Sequence, residues 1–182
     1  MNLVDYVKYY SSVKHKLHKA ERDTERNPSE AKVKAENYRK GKFYIDGLKI
    51  SIENPAGSIR QGKDSKGKPW KIKMKNSYGY INGVKSVDGD NIDVFLSKDP
   101  SKGKIYIVDQ KIPGTQKFDE HKIMYGFNSK DEAVKAYKSN YSKDWKGLGK
   151  VTEFTRDKFK EFIKNKRQVR KPISAYKNLQ TK

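Results

Sequence analysis

The chain has 182 residues, a net charge of +20, a pI near 9.8 and a mean hydropathy of −1.06. That length suits one domain with a helical extension, and the lack of cysteine excludes disulfides, thiolate metal sites and cysteine catalysis. Three scattered histidines argue against a histidine-ligated metal, no apolar run approaches the ~20 residues of a membrane span, and the N-terminus lacks a signal-peptide stretch, so the expectation is a soluble protein with no membrane partner.

Leu3, Tyr6, Val7, Tyr10, Val13 and Leu17 recur at helical spacing and predict an amphipathic helix to about Ala20. Asn27-Pro28 reads as a cap followed by a first-turn proline, opening a second helix that Gly41 ends. These residues, 1–41, are expected to form a packing or oligomerisation arm, with a homo-oligomer as its consequence. Phe43–Ile45, Asp46-Gly47 and Leu48–Glu53 predict a hairpin with a two-residue turn. Further strands are expected near Trp70–Met74, Ile92–Leu96, Lys104–Asp109 and His121–Tyr125, with the polar stretch Gly62–Gly67 as a loop. Ser129-Lys-Asp-Glu132 is a capping box for a helix carrying Ala133, Ala136, Tyr137 and Tyr141, and Phe159, Phe162 and Ile163 mark a last helix after Thr155. A helix, then several strands, then helices is an α+β order. The expected division is an arm over 1–41, a central domain over 42–165 and a basic tail over 166–182.

The most informative segment is Tyr78-Gly-Tyr-Ile81 followed by Asp88-Gly-Asp-Asn-Ile-Asp93. Three carboxylates within six residues repel one another unless a cation neutralises them. Asp88 and Asp90 straddle a glycine on a tight turn, and Asp93 opens an alternating strand, so the three can converge on hard-oxygen ligation of Mg²⁺ or Mn²⁺. An EF-hand is excluded, because its fifth and sixth positions hold Ile92 and Asp93. Alone, Asp-Gly-Asp is more often a polar turn. Removing one carboxylate of a repelling trio is expected to leave stability unchanged or slightly higher.

Taken together, the two blocks resemble the signature of the soluble family I inorganic pyrophosphatases, and more closely the pyrophosphatase-like modules of phage and conjugative-element proteins. The flanks Asn37-Tyr-Arg-Lys-Gly41, Ile52-Glu-Asn-Pro-Ala-Gly57 and Phe118-Asp-Glu-His-Lys122 share the likeness, which covers roughly residues 28–165. The resemblance implies a small, closed, OB-like β-barrel flanked by helices. It further implies Asp88, Asp93, Glu53 and Glu120 as metal ligands, Asp90 as the residue that orients or deprotonates water, and Tyr78, Arg60 and Lys122 as phosphate-binding groups. Two or more Mg²⁺ ions, with Mn²⁺ as a substitute, would be the cofactors. Some positions depart from the pattern: Gly62 replaces a second glutamate, and an acid expected before Glu120 is missing unless Asp109 or Asp119 supplies it. The late tyrosine of the pattern falls on Tyr137 or Tyr141.

Three functions follow as expectations. The first is Mg²⁺-dependent hydrolysis of inorganic pyrophosphate, and the second uses the same site on a nucleotide or nucleotide-linked signal. The third is a virion- or nucleic-acid-associated protein that reuses the fold, with phage particle proteins as partners. Residues 138–182 carry fourteen Lys or Arg against four acids, a charge suited to non-specific nucleic-acid contact or to a solvated lysine-rich surface. The expected location is the host cytoplasm or the virion.

Overall fold

The computed structural model describes residues 2–64 and 67–173, without the side chains of Tyr6, Tyr9, Tyr10 and Ser11. The expected face positions Tyr6 and Tyr10, residues 65 and 66 of the expected loop, and 174–182 of the expected basic tail lie outside the described residues.

Helix α1 (Leu3–Asp23) starts where the Asn2 side chain accepts from the Asp5 amide. Among the described side chains of its apolar face Val13, Leu17 and Ala20 are buried, while Leu3 and Val7 are exposed. The second helix is shorter and later than its sequence signal. α2 (Glu30–Lys34) is capped by Ser29 instead of Asn27, and Gly41 opens strand β1 (Gly41–Ile45). The Asp-Gly hairpin forms as expected, joining β1 to β2 (Leu48–Asn54), with φ of 50° at Asp46 and 79° at Gly47.

A two-stranded ribbon follows, β3 (Ile59–Lys63) with β4 (Pro69–Lys73), so Gly62 and Lys63 are strand and not loop. The remaining strands are β5 (Ser77–Lys85), β6 (Asn91–Leu96), β7 (Lys104–Lys111), β8 (Phe118–Phe127) and β9 (Val151–Phe154). Helices α3 (Lys130–Ser139) and α4 (Arg156–Lys164) take the predicted caps, Ser129 and Thr155, and a 3₁₀ turn covers Gln168–Arg170.

Seven strands form one sheet in the order β1-β2-β5-β6-β8-β7-β9. All neighbours are antiparallel except β6 and β8, because the chain passes out to β7 and returns with β8 between β6 and β7. Among the described residues no ladder joins β1 to β9, so the α+β class is seen and a closed barrel is not.

The strand period of two separates two cores. One face buries Ile50, Ile52, Val94, Ile107 and Ile123 under α1 and α4. The other buries Phe95, Tyr106, Val108 and Met124 under α3 and the end of the ribbon. Gly79 lets β2 and β5 pair closely, since a Cβ there would lie 1.9 Å from the Ser51 carbonyl oxygen.

Candidate active site

Register gathers the site. Across four strands Ser51 pairs with Tyr80, Tyr80 with Asp93, and Asp93 with Lys122, which puts these side chains in one row on the face opposite α1. Tyr78 and Glu120 belong to the same face by the two-residue period, and Glu53, at a register shift of β2, lines one cleft with Arg60 and Tyr78. Lys122 is 3 % exposed, an unusual position for a lysine unless it is paired. It is paired twice: Nζ contacts Asp93 Oδ2 and lies 2.7 Å from Glu120 Oε1. The Tyr78 hydroxyl donates to the same Asp93 oxygen at 2.6 Å, and Arg60 Nη2 donates to the Tyr78 hydroxyl at 3.3 Å. The Arg60 guanidinium also sits 4.4 Å from the Tyr78 ring centroid and 5.6 Å from that of Trp70. Two cations, two carboxylates and a phenol thus form one connected cluster.

Its electrostatics follow from burial opposed by charge. Burial alone would lower the Lys122 pKa, yet Tyr78, Asp93 and Glu120 around it hold it well above the ordinary lysine value. Burial raises Glu120, with Lys122 pulling back and Asp93 adding to the rise. Burial and Asp93 push the Tyr78 phenol up, so it is a hydroxyl donor at neutral pH.

The other expected residues are spread around this cluster. Glu53 accepts from the Tyr38 hydroxyl at 3.1 Å and lies 3.3 Å from Lys40 Nζ. Asp88 and Asp90 stand on the exposed β5–β6 turn, where the Asp90 amide donates to Asp88 Oδ1 at 3.0 Å. Among the described residues no three Asp, Glu or His side chains stand close enough to hold one metal ion. The expected convergence of all three aspartates is therefore absent from this arrangement. The donor chemistry nevertheless fits an oxygen-seeking divalent ion. The face offers carboxylates and no thiolate or imidazole, and Asp93 and Glu120 already share one cationic atom, Lys122 Nζ.

Two open alternatives acquire positions. Asp109 points to the opposite face, where its Oδ1 lies 3.0 Å from His121 Nδ1 and accepts from the Ile173 amide. Asp119 stands beside Glu120 instead, and both accept from Gln110 Nε2, at 3.1 and 3.3 Å. Tyr141 and Tyr137 both bond to Gln110. Burial raises the Tyr141 phenol while Lys122 and Arg60 pull it down, and its hydroxyl donates to Gln110 Oε1 at 3.0 Å. Tyr137 donates to the same oxygen from beneath, at 2.7 Å. Gln110 carries no signal in the sequence, because a neutral amide forms no motif; its hydrogen bond to Glu120 emerges only once β7 lies beside β8.

The sequence model of inorganic pyrophosphatases matches residues 30–164. No curated protein and no solved structure matches the chain. The matched span is well over half of the chain and includes every residue of the cluster from Glu53 to Tyr141, so the chain belongs to the inorganic pyrophosphatase family.

Proposed function

We propose that the protein is a Mg²⁺-dependent phosphoanhydride hydrolase acting on inorganic pyrophosphate, with Mn²⁺ as a substitute ion. The observation behind this reading is the cluster of Arg60, Tyr78, Asp93, Glu120 and Lys122 on one sheet face, inside the span that matches the family. Asp88, Asp93, Glu53 and Glu120 would hold the ions, which when bound supply charge neutralisation at the anhydride and acidify water. Lys122 and Arg60 bring two fixed positive charges to the phosphates and stabilise the leaving phosphate. Tyr78, kept protonated by its surroundings, donates a hydrogen bond to a phosphate oxygen in place of its present bond to Asp93. Asp90, exposed on a turn beside the face, accepts the proton of the attacking water. Gln110 and Tyr141 hold Glu120 in place.

A phosphate-release assay tests this reading. Pyrophosphate supplied with Mg²⁺ should yield two phosphates per molecule, and a chelator should stop release. No release above a buffer control from pyrophosphate, triphosphate or nucleotides would end the enzymatic reading. The exposed positive residues Lys164, Lys166, Arg167, Arg170 and Lys171 favour a second property, sequence-blind contact with nucleic acid.

A further inference from the structure

A cleft of about 420 Å³ opens beside Arg60, Tyr78 and Glu53, and its remaining walls are wrong for a bare anion. Trp70, Val33 of α2 and Ile59 of β3 line it, and Val33 and Ile59 are 48 % and 41 % exposed. Pyrophosphate is all charge and gains nothing from an apolar wall. Asn27, Asn54 and Gln61 also line the cleft, and their side-chain amides make no hydrogen bond to other described residues. Each offers a donor and an acceptor, the complement of a heteroaromatic edge. Arg60 joins the two regions, bonding to Tyr78 on the site side and facing the Trp70 ring on the cleft side. An aromatic and apolar wall, polar groups that fix orientation and a volume in the range of small-molecule sites together suit an organic ligand that carries charge at one end.

From this juxtaposition we infer that the cleft is a nucleoside subsite: the protein binds a nucleotide with its base at Trp70 and Val33 and its phosphoanhydride at Arg60, Tyr78 and Lys122. This rests on the proposed hydrolase reading and names a substrate class for the same site. In a nucleoside diphosphate, water attacks the terminal phosphorus and the bridging P–O bond breaks. Nucleoside monophosphate and phosphate leave, and the water's proton passes to the base at the site.

Calorimetry with two non-hydrolysable probes, methylenediphosphonate and α,β-methylene-ADP, isolates the nucleoside contribution, because both carry the same P–C–P unit. The wild type should bind the nucleotide analogue at least about tenfold more tightly, the lower range of a stacked base. W70L, which removes the ring, and V33W, which fills the cleft from an exposed position, should each abolish that gain. Both should leave methylenediphosphonate affinity unchanged within about twofold. Equal affinity of the wild type for the two probes, binding of neither, or a gain retained in both variants overturns the inference. Pyrophosphate hydrolysis by the same samples is read separately. Its absence with the nucleoside gain intact would sink the proposed activity and leave the subsite standing, while hydrolysis without the gain would do the reverse.

Discussion

Asp93 and Lys122 are 29 positions apart in sequence and adjacent in register, and each answers the other's burial. This arrangement changes what a substitution at the aspartate trio does. Asp93 is not one of three crowded anions; it is the acceptor for Lys122 and Tyr78. Asp93→Asn should therefore cost about 1–3 kcal/mol of stability, the range for a buried hydrogen bond to a charge. Asp90→Asn, on an exposed turn, should change stability by less than about 0.5 kcal/mol. Urea unfolding of the two variants checks the contrast. Glu120 supplies a pH test with a definite sign. Its carboxyl is raised on folding, so it contributes stability that is present below the unfolded value and lost as pH rises through the folded one. Glu120→Gln removes that titration. Its Tm should accordingly improve relative to wild type as pH is raised from about 4 toward neutrality. A Tm difference that is flat with pH would contradict the raised carboxyl. At this scale much of the site was legible, because Asp93, Lys122, Glu120, Tyr78 and Arg60 carry charge or sit in a motif. Gln110 was invisible for the opposite reason, and the contacts of Tyr137 and Tyr141 with it needed α3 to be docked on the sheet.

Among the elements, those with chemical punctuation were read well. Asp46-Gly47 makes its turn, and Ser129 and Thr155 cap α3 and α4. Strands β3, β5 and β9 were missed for distinct physical reasons. β3 is a polar strand of an exposed ribbon, and β9 is only four residues. β5 is buried on both faces over Ser77–Gly79, with Gly79 where a side chain should alternate. The glycine is required by Ser51 across the ladder, so Gly79→Ala should lower stability sharply and disturb the row that holds Tyr78 and Tyr80. Arg156 ties α4 to the β1–β2 turn through Asp46 and to the Pro100 carbonyl at 2.7 Å. Arg156→Ala leaves Asp46 with Tyr125 alone and should cost about 2 kcal/mol with pyrophosphate turnover per folded molecule unchanged. Thermal unfolding and a rate normalised to folded protein separate these effects.

The described residues build a seven-stranded sheet with a core on each face, one under α1 and α4 and one under α3 and the ribbon, and its class but not its topology was legible in the sequence. Periodicity identifies which residues are buried together; it does not say that β8 returns between β6 and β7, and that return completes the site. Among the described residues no helix is long and apolar enough to cross a membrane. Positive charge concentrates toward the C-terminal end, where Lys164, Lys166, Arg167, Arg170 and Lys171 are exposed around the 3₁₀ turn. If that surface contacts nucleic acid through phosphates, duplex affinity should fall with salt at a logarithmic slope of about −0.9 per contact, and Lys/Arg→Gln changes there should reduce the slope. The central claim concerns the charged cluster, and the most direct measurement of it is phosphate release from pyrophosphate across a Mg²⁺ titration, run on wild type, Asp90→Asn and Asp93→Asn. The account predicts Mg²⁺-dependent release by wild type. It predicts a loss on the order of 10²–10⁴-fold for Asp90→Asn that added Mg²⁺ does not recover, and a loss for Asp93→Asn that it partly does. No release by wild type, or full activity of both folded variants at low Mg²⁺, would contradict it.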